Sequence, residues 1–303
     1  MEMIFCTIIW IGIFMKLTEI YKNKGKSVLS FEIFPPKKDE ELRDIEPTLD
    51  ILSELKPDFI SVTFGAGGSS NNNKTIDLAR KIKEVYKIEP VVHLTGLAYT
   101  QTEIDEFIKA LEAAGIENIL ALRGDENPNA PSKGVFNYAS DLISYLKPKT
   151  DFCIAGACYP EDHPQSPNHV CEMLNLKKKV EAGAEILLSQ LFFDNNNFYA
   201  FEEDARIAGI EVPITPGIMP AIKAAQIQRM VTTCGAVLPP KFAKIIEKYG
   251  DNKEAMFDAG MAYAMSQIID LLTNGVDGIH LYTMNRPKVA RTICDGIKNI
   301  VNV

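Results

Sequence analysis

Two carboxylates, two imidazoles and an amide recur in this sequence just where short apolar runs end. Glu32 shares a parity with Ser30 in the run Leu29 to Ile33, and Asp125 follows Arg123 and Gly124. His93 and Thr95 alternate with Val92 and Leu94, Gln190 follows Ile186 and Leu188 at every second residue, and His280 and Tyr282 alternate with Ile279 and Leu281. A carboxylic acid in a mostly apolar pocket holds its proton towards neutrality, the condition for a general acid. A second carboxylate accepts hydrogen bonds, and imidazole and amide groups orient a polar substrate. Singly, each has a plain structural role as a solvated loop carboxylate, a satisfied core histidine or an amide bonded to backbone. Their recurrence at the ends of successive runs points to one site.

A further set lies on a helical stretch. Glu172, Asn175 and Lys179 fall at i, i+3 and i+7 and so share a face, with Lys178 beside it. This is either a solvated helix face or a place where lysines hold the phosphate of a cofactor. Other chemistries fit less well. No strand carries the lysine a Schiff-base aldolase needs, and no GxSxG elbow is present. Cys153 and Cys158 are an odd number of residues apart and face opposite sides of a strand, while His163, His169 and Cys171 lack zinc spacing, so no metal is expected.

These residues need elements to hold them. Strands are expected over Val28–Phe34, Phe59–Phe64, Pro90–Thr95, Asn118–Arg123, Phe152–Tyr159, Glu185–Phe192, Val212–Ile218 and Gly278–Met284. Between them lie amphipathic stretches over Glu40–Leu55, Thr75–Tyr86, Thr102–Ala114, Ala139–Leu146, Val170–Ala182, Asn196–Ala208 and Ala221–Cys234. Further helices follow over Pro240–Tyr249, Lys253–Leu272 and Pro287–Ile300, and Gly115, Gly183, Gly209 and Gly275 stand where left-handed caps would end helices. Eight strand–helix units without a linker are the arithmetic of an α/β fold, a (β/α)8 TIM barrel in a single domain. An open doubly wound sheet would want a GxGxxG turn after its first strand. The nearest run, Gly65-Ala66-Gly67-Gly68-Ser69-Ser70, follows the second strand and lacks the third glycine.

Because strand side chains alternate, one parity of each strand faces the barrel axis. On that parity the reading puts Ser30 and Glu32, Ser61 and Thr63, His93 and Thr95, Arg123 and Asp125, Gln190, and His280 and Tyr282. Cys153, Ala155 and Ala157 are small and leave room below Tyr159. These groups come late in their strands, at the end where such barrels carry their sites.

Composition bounds the remaining choices. The 303 residues carry 32 Lys and Arg against 40 Asp and Glu, a net charge of −8, which argues against a protein built to grip nucleic acid or an anionic membrane. With 46% hydrophobic and 24% charged residues the chain can bury a full core. The scattered cysteines Cys6, Cys153, Cys158, Cys171, Cys234 and Cys294 read as reduced thiols of a cytoplasmic protein. Residues 1–15, MEMIFCTIIWIGIFM, are too short to span a bilayer and lack the basic start of a secretory signal. They are read as an extension, a docking strand or helix, a weak membrane anchor or, as the favoured reading, an upstream start with Met15 as the natural first residue, and residues 16–303 are read as the catalytic barrel.

Seven stretches then fall into a pattern. Ser30-Phe31-Glu32-Ile33-Phe34-Pro35-Pro36, Ala121-Leu122-Arg123-Gly124-Asp125, Tyr159-Pro160-Glu161-Asp162-His163-Pro164, Asn175-Leu176-Lys177-Lys178-Lys179 with Ala182-Gly183-Ala184, Gln190-Leu191-Phe192-Phe193-Asp194, Pro216-Gly217-Ile218-Met219-Pro220 and Tyr282-Thr283-Met284-Asn285-Arg286 together closely resemble the methylenetetrahydrofolate reductase family. The likeness runs in order from about Val28 to the last helix and is to the short bacterial type. It implies an FAD-containing barrel that reduces 5,10-methylenetetrahydrofolate to 5-methyltetrahydrofolate, in one-carbon metabolism and methionine synthesis, by a ping-pong route. NADH or NADPH gives hydride to the flavin and leaves, and the folate then receives it.

At matching positions the resemblance makes Glu32 the acid that protonates a folate ring nitrogen and opens the five-membered ring. Asp125 lies near the flavin and pairs with the amino-pyrimidinone edge of the folate, and Gln190, Gln226, Tyr282 and Arg286 are further substrate contacts. The flavin contacts it implies are Thr63, His93, Arg123, Gly124, Asp125, Tyr138, Ala139, Tyr159, His163, Glu172, Asn175, Lys178 and Lys179. Met230 stands where relatives carry an aromatic that stacks on substrate, and Glu172 and Lys178 exchange for Asp and Arg. A homo-oligomer is expected. Two other readings stay open: a flavin-bearing subunit that takes electrons from a partner protein, and a folate-binding barrel without redox chemistry.

Overall fold

The computed structural model describes residues 15–23, 25–36, 41–64 and 69–301. The apolar stretch 1–14 and the glycine-rich run 65–68 lie outside the described residues. The strands are β1 Val28–Ile33, β2 Phe59–Val62, β3 Glu89–Thr95, β4 Asn118–Leu122, β5 Cys153–Cys158, β6 Ile186–Ser189, β7 Ile214–Thr215, β8 Gly217–Ile218 and β9 Gly278–Tyr282. The helices are α1 Leu17–Lys22, α2 Glu46–Glu54, α3 Ser69–Glu84, α4 Gln101–Ala113, α5 Ala139–Leu146, α6 His169–Glu181, α7 Asn195–Ile207, α8 Ala224–Cys234, α9 Pro240–Tyr249, α10 Lys253–Thr273 and α11 Pro287–Ile297.

All strand pairs are parallel, and β1 to β6 follow one another in sequence around the sheet. The expected seventh strand is broken at Pro216, which has no N–H to give to a ladder. Its first half, β7, pairs with β6, and its second half, β8, pairs with β9. β9 pairs in turn with β1, so the ring closes as the eight-unit reading requires. The Pro216 carbonyl still accepts from the His280 N–H at 3.0 Å, which carries the ladder across the break.

The period-two alternation divides the apolar side chains into two bodies. Leu29, Phe31, Ile33, Ile60, Val62, Val92, Leu94, Ile119, Ala121, Ile154 and Leu187 face outwards and pack under the helices. Val28, Phe59, Val91, Leu120, Cys153, Ala155, Ile186 and Leu188 fill the interior. On β4 this corrects the sequence reading. The inward parity is Asn118, Leu120 and Leu122, so Arg123 reaches the mouth because it lies beyond the strand, not because it alternates into the barrel.

Helix α1 was not expected, because six residues leave too little periodicity to read. It plugs the N-terminal end of the barrel. Leu17 and Tyr21 join the interior body, and the Leu17 N–H donates to Asn118 Oδ1 at 2.8 Å. The Tyr21 hydroxyl meets Thr215 Oγ1 at 2.5 Å, and burial raises its pKa well above the ordinary phenol value.

Elsewhere the elements match their signals. Gly115, Gly183, Gly209 and Gly275 all take positive φ. The α8 helix starts at Ala224 and not at Ala221, because the backbone at Ala221 and Ile222 is pressed against Gly260 of α10. A Cβ there would lie 2.2 Å from the Ala221 carbonyl oxygen. Cys153, Cys158, Cys171, Cys234 and Cys294 are free thiols. Among the described residues no helix is long and apolar enough to cross a membrane.

The plug makes a stability prediction. Leu17→Ala should cost about 2–5 kcal/mol and Tyr21→Phe about 1 kcal/mol, read from urea midpoints. An unchanged midpoint for Leu17→Ala would mean that α1 does not pack the barrel floor.

Candidate active site

Above the apolar plug the interior turns polar. Ser30 on β1 and His280 on β9 are register partners, and Ser30 Oγ lies 2.8 Å from His280 Nδ1. The other ring nitrogen is 3.4 Å from Ser61 Oγ on β2, and the ring stacks on Phe59 at 5.9 Å. This serine–histidine–serine bridge forms the floor of the mouth.

Glu32 stands one step higher, paired in register with Tyr282 and Ser61. Its Oε2 is 3.5 Å from His93 Nε2 and 3.9 Å from His280 Nε2. The wall around this carboxyl group is therefore imidazole as well as hydrocarbon, where the sequence suggested a mostly apolar pocket. His93 is buried, and that burial holds its pKa below the ordinary imidazole range, only partly opposed by the Glu32 charge. Its Nε2 makes no hydrogen bond among the described residues. Across the mouth the Tyr282 hydroxyl donates to the Ser189 carbonyl at 2.6 Å, and burial lifts its pKa well above the ordinary phenol value.

A cleft of about 1020 Å³ opens beside this carboxyl group, over β2 to β5. Thr63, His93, Arg123, Gly124, Asp125, Tyr159 and His163 all line it. Gly124 turns the chain at φ 88, and a Cβ there would lie 3.1 Å from Thr95 Cβ, so the backbone beyond β4 folds back over the strand ends. Arg123 Nη1 then donates to Gln165 Oε1 at 2.6 Å, and Asp125 is exposed at the rim. Tyr159 and His163 meet edge to face at 4.7 Å. Burial raises the Tyr159 pKa to about 12 and lowers that of His163.

Other expected residues stand around this cleft and not in its lining. Glu172 is buried on α6, while Asn175 and Lys178 are exposed. The lysine pair is split. Lys179 lies along the outer face of β5, where a Cβ on Gly156 would come within 2.8 Å of its Cδ. Its Nζ donates to the Ala157 carbonyl, below the Tyr159 ring at 6.0 Å, and burial lowers its pKa. Tyr138 caps α5 and is exposed, with Ala139 beside it. Gln190 is half-buried at the end of β6, with its Oε1 taken by the Leu191 N–H at 2.9 Å. Gln226 on α8 gives one N–H to Met219 Sδ, and its buried Oε1 makes no hydrogen bond among the described residues. Arg286 is half-buried at the start of α11. Met230 belongs to an apolar cluster that includes Leu191, Met219 and Tyr282.

The far wall of the cleft was not anticipated. Phe64, Tyr99 and Phe107 meet edge to face with centroids 5.9, 5.3 and 5.1 Å apart, and Glu103 and Glu106 line the same side. Phe107 lies at helical spacing and reads as core. Ser189 was missed as well: its Oγ accepts the Gly217 N–H at 2.8 Å and its carbonyl anchors Tyr282. The only signal for it was Gly217 in the motif after β7. Among the described residues no group of three or more His, Cys, Asp or Glu could hold a metal ion.

Fold and site together define an enzyme of the (β/α)8-barrel class, with its polar groups at the C-terminal strand ends and a cofactor-sized cleft beside them. The Methylenetetrahydrofolate reductase family model matches residues 16–298. The chain is 35% identical over 271 residues to 5,10-methylenetetrahydrofolate reductase of Escherichia coli, covering 89% of this chain and 90% of that one. It is 34% identical over 295 residues to Methylenetetrahydrofolate reductase (NADH) 1 of Arabidopsis thaliana, covering 91% of this chain and 50% of the plant enzyme. An uncharacterized protein from Clostridium thermocellum, which binds two copies of 5-methyl-5,6,7,8-tetrahydrofolic acid, has the same fold. Its TM-score is 0.67 at 16% identity, over 94% of this chain and 98% of that chain.

The chain belongs to the methylenetetrahydrofolate reductase family. It is an oxidoreductase of that family, whose reaction takes 5,10-methylenetetrahydrofolate to 5-methyltetrahydrofolate.

The buried imidazole makes a pH prediction. Folded His93 refuses a proton that the unfolded chain accepts, so stability falls as pH drops through the ordinary imidazole value of about 6.5. His93→Gln should therefore show a shallower loss of urea midpoint than wild type between about pH 7 and pH 5.5. An equal or steeper loss would contradict a neutral buried His93.

Proposed function

We propose that the cleft holds FAD, that NADH or NADPH and then the folate use the same mouth in turn, and that Glu32 is the acid of the folate step. The observation that carries this reading is the position of the Glu32 carboxyl group, beside two imidazoles and next to a cleft lined by seven of the matched positions. The residues present suit such a group. The lining offers hydroxyl, imidazole, guanidinium and backbone groups on one side and aromatic edges on the other. His93 Nε2 and Gln226 Oε1, which make no hydrogen bond among the described residues, are buried polar atoms of the kind a ligand completes.

Thr63, His93, Arg123, Gly124, Asp125, Tyr159 and His163 would hold the cofactor from the cleft, with Tyr138, Ala139, Glu172, Asn175, Lys178 and Lys179 around it. FAD, when bound, supplies a carrier that accepts hydride from the nicotinamide and yields it to the folate. The protein's own part is to bind, orient and handle a proton. Asp125 is an acceptor at the rim and suits the N–H donors of an amino-pyrimidinone edge. Gln190, Gln226, Tyr282 and Arg286 flank the same mouth. The Tyr282 hydroxyl already donates its one hydrogen bond to the Ser189 carbonyl, so it faces substrate as an acceptor.

Glu32 gives a proton to a ring nitrogen of the folate, which opens the five-membered ring and leaves an electrophilic carbon for hydride. His93 assists by staying neutral, because a fixed cation beside Glu32 would favour its carboxylate and leave it no proton to give. Nothing in this scheme requires a membrane or a nucleic acid, and we place the reaction in the cytoplasm.

Stopped-flow half-reactions test the role of Glu32. Glu32→Gln should keep flavin reduction by NADH near the wild-type rate and lose folate reduction by about 100- to 10,000-fold, the scale of general acid catalysis. Equal loss in both halves would refute the assignment. Reduction of flavin only after a partner protein is added would refute the nicotinamide donor.

A further inference from the structure

Outside the mouth, one histidine is held between two carboxylates from different elements. His169 is the first residue of α6. Its Nδ1 lies 2.8 Å from Asp162 Oδ1, and its Nε2 lies 3.0 Å from Asp204 Oδ2. Asp162 sits in the loop that joins β5 to α6, beside His163 and three residues after Tyr159, both of which line the cleft. Asp204 lies on the neighbouring helix α7. A neutral imidazole has one N–H and can satisfy only one of these carboxylates, whereas the imidazolium donates to both.

Two features indicate that this bridge holds something in place. Asp162 takes φ 60, an uncommon conformation for a residue with a Cβ, in a turn closed by its N–H on the Tyr159 carbonyl at 3.2 Å. Such a conformation persists where its surroundings hold it. A positive charge at the start of a helix is also opposed by the helix dipole, so an imidazolium there needs the two carboxylates that flank the ring.

We propose that His169 is a positioning residue: as the imidazolium it ties the β5–α6 loop to α6 and α7, sets Tyr159 and His163 against the cleft, and lets one end of the loop go when it loses its proton. The consequence for cofactor retention rests on the flavin reading of the cleft, while the loop clamp itself does not.

The charges that face the ring are Asp162 from the loop and Asp204 from α7. Glu161, also in the loop, is engaged elsewhere, by Asn197 Nδ2 at 2.6 Å and the Val237 N–H at 2.9 Å. Glu172, the acidic residue in the first turn of α6, is buried towards Tyr159, His163 and Lys179. On α7, Arg206 is spent on the Ile210 and Val212 carbonyls. The bond to Asp162, with a smaller share from Asp204, raises the His169 pKa above the ordinary imidazole value in spite of partial burial. The sign follows. The clamp is whole below the unfolded imidazole value of about 6.5 and is lost as pH rises through the raised folded value.

Hydrogen exchange of the intact protein, with and without FAD, tests this when expressed as protection relative to intrinsic rates. Wild-type protection of the amides in 160–169 should fall about two- to fivefold, the scale of an exposed ion pair, as pH rises through the His169 transition followed by NMR. His169→Gln should sit at the lower level throughout, and Asp204→Asn should move the His169 titration down towards the ordinary value. The FAD dissociation constant should rise by the same factor in wild type alone. Titration of His169 at or below the ordinary value, or the same pH-dependent protection in His169→Gln, would overturn the proposal. If FAD binds neither protein, the flavin reading of the cleft fails, and the protection data still decide the clamp.

Discussion

Between β6 and β9 the ring is completed by a strand that Pro216 breaks in two. The backbone there comes so close that a Cβ on Gly217 would lie 2.3 Å from the Ser189 carbonyl oxygen and 2.6 Å from the Tyr282 ring. Only glycine fits such an approach. That contact places the Tyr282 hydroxyl on Ser189 and brings β9 into register with β1, where Tyr282 faces Glu32 and His280 faces Ser30. The closing strand thus fixes the height and the neighbours of Glu32. A wider approach at Gly217 would move Tyr282, and with it the wall opposite Glu32.

Closure also forces the interior into layers, because every second side chain of each strand points at the axis. The lowest layer is apolar and is capped by Leu17 and Tyr21 of α1. The next is polar but internally paired, with His280 spanning Ser30 and Ser61. At the mouth, among the described residues, His93 Nε2 and Gln226 Oε1 are buried without a hydrogen bond, although Glu32 Oε2 lies 3.5 Å from the imidazole nitrogen. Buried polar atoms are costly when unpaired. Two such atoms stand at the mouth.

Much of this was legible from the residues. Alternation with period two is a strict geometric rule, so Glu32, His93, Gln190 and Tyr282 could be set on one mouth without coordinates. It misled on β4, because the strand ends at Leu122 and the turn at Gly124 brings Arg123 round. What the sequence hid depends on contacts between distant segments. Helix α1 is too short for periodicity to register, and its role exists only through Asn118 and Thr215, far along the chain. The lysine pair on α6 looked alike in sequence, yet the bare surface of Gly156 draws Lys179 down onto β5 and leaves Lys178 in solvent. His169 was weighed only as a metal ligand, because Asp162 lies in a loop and Asp204 on another helix, where no periodicity joins them to it.

The proposal that one mouth serves a nicotinamide and a folate in succession carries a kinetic signature. Initial rates measured over a grid of NADH and 5,10-methylenetetrahydrofolate concentrations test it most directly. The account predicts parallel lines in double-reciprocal form, since the first product leaves before the second substrate binds. Intersecting lines, which require both substrates on the enzyme at once, would contradict it.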